Sequence, residues 1–142
     1  MTNSLFEKYV LCDEGFRNIY DPADPDGPAI GFQLKVRAPY YRGPRLSLID
    51  RITVKVDGRE FDPAKFRFTT HHGTFTMDEM RTMPDLYWNF GEKATLTVLE
   101  PSGIGYYMNS GVCTVEVGIY LRISYQPVGF SAVVSKPLRI EA

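Results

Sequence analysis

Gly31-Phe32-Gln33-Leu34-Lys35-Val36-Arg37 is the stretch from which the fold is read. Phe32, Leu34 and Val36 fall on one side, and Gln33, Lys35 and Arg37 on the other. Strict alternation with period two is the mark of a strand with one face buried. The run stops at Pro39, which has no N–H to give a ladder. The same pattern recurs along the chain. Ile52, Val54 and Val56 alternate with Arg51, Thr53 and Lys55 within a strand expected over 46–56. Asp57-Gly58 follows as a hairpin turn, since both residues tolerate positive φ, and Arg59-Glu60 begins the return. Phe66 and Phe68 alternate with Arg67 and Thr69, His71-His72-Gly73 marks a turn, and Phe75 and Met77 open the next strand. Ala94, Leu96 and Val98 make another strand, ended by the turn Pro101-Ser102-Gly103. Val115, Val117, Ile119, Leu121 and Ile123 form the longest alternation, with Gly118 marking a bulge or a close packing of backbone. Segments 130–134 and 138–140 read as closing strands. The single helical signal is Thr76-Met77-Asp78-Glu79, a capping box that predicts one turn over 78–82, before Pro84.

Eight to ten short strands separated by turn residues predict an all-β fold. The expectation is an antiparallel two-sheet sandwich, jelly-roll-like, with at most one short helix. No internal repeat or linker divides residues 1–142, which read as one domain. Composition agrees. Val, Ile, Thr and the aromatic residues make up about a third of the 142 residues, and 12 Gly and 10 Pro punctuate them. The stretch 21–28 is rich in Asp, Pro and Gly and reads as a long surface loop.

The 16 basic and 17 acidic residues leave a formal charge of −1, which gives no electrostatic basis for binding nucleic acid or an anionic membrane. No apolar run approaches the roughly 20 residues of a spanning helix, and residues 1–8 lack the apolar core of a secretory signal. A cytoplasmic location is therefore expected. Cys12 and Cys113 form no zinc spacing or CxxC motif, and are expected as reduced, buried thiols.

Catalytic signals are sparse. Asp24, Asp26 and Gly27 resemble the middle of a calcium loop. With Gly27 at the sixth position, however, Pro22 falls first and Gln33 twelfth, where oxygen ligands are required. His71 and His72 are the only histidines; neighbours on a strand point to opposite faces, so they are expected not to chelate together. Asp13, Glu14, Asp78, Glu79 and Glu116 contain no pair whose spacing selects it for acid–base work. No GxSxG, Walker A or GxGxxG sequence occurs. No catalytic or metal-ligating residue is assigned. The distinctive segment is Pro39-Tyr40-Tyr41-Arg42-Gly43-Pro44-Arg45. Tyr and Arg concentrate binding energy at interfaces, and two prolines bracket the loop. Tyr40, Tyr41, Arg42 and Arg45 are therefore candidate interface residues, with Trp88, Tyr106 and Tyr107 beside them on a similar argument.

Several of these runs together resemble a known family. Gly31–Arg37, then Pro39-Tyr40-Tyr41-Arg42-Gly43, Leu46-Ser47-Leu48-Ile49 and Val54-Lys55-Val56-Asp57-Gly58 are similar to the small (β) subunit of bacterial C-glycoside deglycosidases. Trp88-Asn89-Phe90-Gly91 and Arg122-Ile123-Ser124-Tyr125 continue the pattern. The resemblance implies a two-component enzyme. Its large (α) subunit is a xylose-isomerase-like barrel holding a divalent metal, usually manganese. It cleaves the carbon–carbon bond between a 3-oxo sugar and an aromatic, flavonoid-like aglycone by β-elimination. The small subunit is a β-sandwich that stabilises the complex, with no catalytic residue of its own to carry over. The implied partner is thus the barrel subunit, in a higher heteromer, and the implied cofactor lies in that partner. A second reading remains open: a free-standing carbohydrate-binding module, with Trp88 and the tyrosines as a stacking platform.

Overall fold

A computed structural model describes residues 7–39, 43–105, 111–122 and 129–141. Nine strands occur among them: β1 (Arg17–Ile19), β2 (Gly31–Arg37), β3 (Ile49–Val56), β4 (Arg59–Glu60), β5 (Phe66–Thr70), β6 (Gly73–Phe75), β7 (Lys93–Val98), β8 (Val112–Leu121) and β9 (Phe130–Arg139). They form two antiparallel sheets, ordered β1-β2-β7-β5-β6 and β4-β3-β8-β9. The fold is an all-β sandwich. No helix among the described residues is long and apolar enough to cross a membrane.

The alternation in the sequence is what closes the two sheets on each other. In the first sheet Leu34 pairs with Leu96, and Leu96 with Phe68, so one row of apolar side chains crosses three strands. In the second, Ile52, Val54 and Val56 lie opposite Ile119, Val117 and Val115. All nine side chains are buried in one common core. Each such burial contributes about 1.5–3 kcal/mol. A slip of one residue would turn every one of them to water, so the pattern also fixes the register. Phe16, Phe32 and Phe61 extend the core toward one end. Their rings pack edge to face, with Phe32 centred 6.2 Å from Phe16 and 5.0 Å from Phe61.

Asp57 and Gly58 both adopt positive φ, as the predicted hairpin requires, and Asp57 Oδ1 accepts the Thr114 N–H at 2.7 Å. The capping box is complete: the Glu79 N–H donates to Thr76 Oγ1 at 3.0 Å and the Thr76 N–H to Glu79 Oε1 at 2.8 Å. The turn it starts is α2 (Met77–Met80), displaced by a residue or two from 78–82. A second turn, α1 (Glu7–Val10), has no such signature in the sequence.

Several details differ from the sequence reading. β1 (Arg17–Ile19) has no counterpart among the strands read from the sequence, and β6 ends at Phe75, with Met77 in α2 rather than in a strand. Leu46–Leu48 is a 3-10 turn, so β3 starts at Ile49 rather than at 46. The two closing strands are one, β9, running through Pro137. This strand is an edge of its sheet among the described residues, where a missing N–H is tolerated. At Gly118 the pairing with Thr53 continues without a register shift; the irregularity lies between Ile49 and Arg51. A Cβ on Gly118 would come within 2.5 Å of Thr53 Oγ1 and 2.9 Å of the Tyr120 ring. The glycine therefore makes room for neighbouring side chains. Cys12 and Cys113 are free and buried. Burial raises the thiol pKa of both, that of Cys113 to about 11, with Asp57 adding to the shift there.

Gly31 is the tightest point of the first sheet. A Cβ there would overlap the Val98 carbonyl oxygen and lie 3.2 Å from the Leu99 Cα, and neither backbone atom can rotate away. Gly31→Ala is expected to destabilise the chain by about 1–3 kcal/mol. Gly118→Ala, which meets movable side-chain ends, should cost less. Urea unfolding of the two variants beside wild type checks the order; equal midpoints for wild type and Gly31→Ala would contradict it.

Candidate partner interface

The site begins with the burial of one side chain. Trp88 is 0% exposed and packs edge to face on Phe68, with ring centroids 5.0 Å apart. A buried indole N–H must find an acceptor. It donates to the Glu92 carbonyl at 2.9 Å, which folds residues 88–92 back on themselves. The Glu92 N–H completes this turn by donating to the Asn89 carbonyl at 3.0 Å. The Glu92 carboxylate holds it from the other side. Oε1 accepts the Asn89 N–H at 3.2 Å, and Oε2 accepts the His71 N–H at 2.9 Å. The His71 Nδ1 lies 2.8 Å from the same Oε2. Burial alone would raise the Glu92 pKa, but these hydrogen bonds outweigh it and hold the carboxyl below its ordinary value.

The segment 43–46 is fastened to this turn. The Trp88 N–H donates to the Pro44 carbonyl, and the Leu46 N–H to the Leu86 carbonyl, both at 2.8 Å. Gly43 lies so close that a Cβ would come within 2.5 Å of the Trp88 carbonyl oxygen. Arg45 Nε donates to the Tyr87 hydroxyl at 2.9 Å, and its guanidinium sits 5.5 Å from that ring's centre. The C-terminal end of β8 reaches the same end. The Arg122 N–H donates to the Leu48 carbonyl at 2.8 Å, and its Nη2 to the Ser47 carbonyl at 2.6 Å. Pro39, Gly43–Arg45, Tyr87–Gly91 and Arg122 therefore lie at one end of the sandwich.

Of the residues singled out in the sequence, Arg45 is exposed at this end. Tyr40, Tyr41 and Arg42 lie outside the described residues, although both flanks of their loop are anchored here. Tyr106 and Tyr107 also lie outside them. Their flanks are at the opposite end: the Ile104 N–H donates to Asn18 Oδ1, and the Gly111 carbonyl accepts the Ile140 N–H. Trp88 requires a correction. It is a core residue, and a ring without exposed surface can neither stack on a sugar nor touch a partner. Tyr87, its neighbour, is 41% exposed. Phe90 (51%) and Tyr9 (53%) join it, and neither was picked out in the sequence. Phe90 could have been suspected, because it departs from alternation in a segment with no strand to bury it.

His71 and His72 occupy the turn expected of them, but not with opposite faces: strand alternation does not separate them there, and their rings lie 3.9 Å apart. Among the described residues no three His, Cys, Asp or Glu side chains are grouped to hold a metal ion.

With the geometry established, comparison with known proteins identifies the lineage. The sequence profile of the C-glycoside deglycosidase beta subunit matches residues 6–125. The chain belongs to this family. It is 35% identical over 121 residues to a C-glycoside deglycosidase beta subunit of Eubacterium cellulosolvens (strain ATCC 43171 / JCM 9499 / 6), covering 85% of this chain and 78% of that one. It is 32% identical over 106 residues to a 3'-dehydrocarminate deglycosidase beta subunit of a Microbacterium species, covering 75% and 74%. As a beta subunit, the chain has another subunit as its partner.

Glu92→Gln tests the turn that carries Tyr87 and Phe90. A carboxyl whose pKa is lowered by folding adds stability above its unfolded value, near 4.5, and loses it as pH falls through the lower folded value. The variant should be about 1–2 kcal/mol less stable than wild type at pH 7. That gap should narrow steadily below about pH 4.5. Thermal unfolding between pH 3 and 7 measures it; a gap independent of pH would remove the carboxylate from this role.

Proposed function

We propose that this chain is the accessory subunit of a carbon–carbon lyase that acts on C-glycosides, and that it docks and stabilises a metal-bearing, xylose-isomerase-like barrel subunit. The observation that carries the reading is the family match over residues 6–125. The sandwich end supports it, with aromatic and arginine side chains arranged around a firmly fastened loop base.

In this reading the substrate is a 3-oxo sugar joined by carbon to an aromatic, flavonoid-like aglycone. The ketone acidifies the C–H on the carbon between it and the anomeric centre. A base removes that proton, a carbon–carbon double bond forms, and the aglycone departs with the bonding pair and takes up a proton. A divalent metal, manganese in the family, would be held in the partner and would supply Lewis acidity there. The base and the metal ligands belong to the large subunit. This chain contributes a shaped, dehydrating surface and rigidity. The buried position of Trp88 removes the centre of the stacking platform on which a free-standing sugar-binding module would depend.

The purified chain alone is expected to turn over neither C-glycosides nor their 3-oxo forms, and to restore or raise turnover when the large subunit is added. Product formation by the chain free of any barrel subunit would overturn the division of labour. A second expectation concerns the Tyr40-Tyr41-Arg42 loop. Tyr41→Ala with Arg42→Ala should weaken assembly by roughly 10-fold or more, since truncated anchors typically cost at least ~2 kcal/mol. The isolated variant should keep its thermal midpoint. Unchanged affinity in a subunit titration would place the contact elsewhere.

A further inference from the structure

We infer that the partner subunit seats on the end of the sandwich around Arg37 and Phe90, and that it presents there a large apolar side chain beside a carboxylate. The inference rests on the accessory-subunit reading and gives it a surface and a chemistry.

The apolar half of the argument is a cleft of about 320 Å³ lined by Tyr9, Arg37, Ala38, Phe90 and Gly91. Tyr9 and Phe90 each leave about half of their surface open, and Tyr87 stands nearby, beside Arg45. Exposed aromatic surface at the mouth of an apolar cleft gains most when a partner removes it from water. The floor is already fixed. Arg37 Nη1 donates to the Tyr9 carbonyl at 3.2 Å, and the 88–92 turn is held by the Trp88 and Glu92 bonds described above. Little ordering remains to oppose binding.

Charge supplies the other half. At this end Glu14 pairs with Lys93 at 3.2 Å, Asp50 with Arg122 at 3.9 Å, and Glu92 with His71. Asp13 takes Lys136 at 2.8 Å. Glu14 and Asp13 feel the charge of Arg37, but each is bonded to a lysine. Among the described residues, no carboxylate, that of Asp85 included, comes within 4.0 Å of Arg37 or Arg45. Two guanidiniums beside exposed aromatic rings thus await carboxylates from outside, and the planar guanidinium fork suits that group. The opposite end is differently built. There Glu100 is held between Arg59 at 2.7 Å and Lys65 at 3.3 Å, and the exposed Tyr20 and Ile30 flank the aspartate-rich 21–28 loop.

The test titrates the purified chain into the large subunit of the same deglycosidase and reads the dissociation constant. Phe90→Asp and Arg37→Gln are each expected to weaken binding by 10-fold or more, while Ile30→Asp at the far end leaves it unchanged. Thermal unfolding of each variant alone reports on folding. Should Phe90→Asp fail to fold, Arg37→Gln carries the test, because it removes a charge and one exposed hydrogen bond to the Tyr9 carbonyl but no core side chain. Unchanged binding by a folded Phe90→Asp or Arg37→Gln overturns this face and leaves the accessory-subunit reading standing. Failure of wild type itself to bind overturns that reading and this face with it. A wild-type homodimer in sedimentation that Phe90→Asp dissolves would assign the face to a second copy of the chain, and also overturns the inference.

Discussion

The hydrogen bond from the Trp88 indole to the Glu92 carbonyl governs the geometry of the candidate interface. An indole is too large to leave at the rim of so small a sandwich without cost, and too polar to bury without an acceptor. Bringing the carbonyl of residue 92 to the indole N–H draws the chain between them into a tight turn. That turn displays Tyr87 and Phe90 outward on either side of the buried ring. It also places the Glu92 carboxylate where it can accept from both His71 and Asn89. The outward display of aromatic surface is thus a consequence of satisfying an inward polar group.

The loop base inherits its rigidity from the same segment. Backbone bonds from Leu46 to Leu86 and from Trp88 to Pro44 run across two stretches that are forty residues apart in sequence. Neither stretch belongs to a sheet, yet together they behave as a short two-stranded clasp, marked by the bridge between Arg45 and Tyr87. Gly43 permits the approach, since no side chain could fit between it and the Trp88 carbonyl.

The arrangement suits an accessory subunit. Two of the lowered carboxyls help to hold the fold, Glu92 in its turn and Glu100 between Arg59 and Lys65, and two more, Asp13 and Glu14, are bonded to Lys136 and Lys93 at the surface. The buried thiols are driven away from the reactive thiolate form. The described surface offers exposed aromatic area and arginine, the materials of recognition.

The sequence by itself determined the all-β class and the buried faces of the longer strands. Alternation along β2, β3, β7 and β8 settles which side chains face inward, because period two has only two phases and only one buries the apolar set. The Asp57-Gly58 hairpin and the Thr76–Glu79 capping box were legible for the same local reason: each depends on residues within four positions of one another. The runs quoted from 31 to 58 were enough to indicate the family. Tertiary structure alone decided the fate of Trp88 and the histidines. Whether an aromatic residue in an irregular segment points in or out depends on a cavity formed by strands remote in sequence, here beside Phe68. His71 finds Glu92 across twenty-one residues, and no spacing rule connects them. The candidate face is likewise assembled from Tyr9, Arg37, Arg45, Tyr87 and Phe90, residues that only the packing of two sheets brings to a common end.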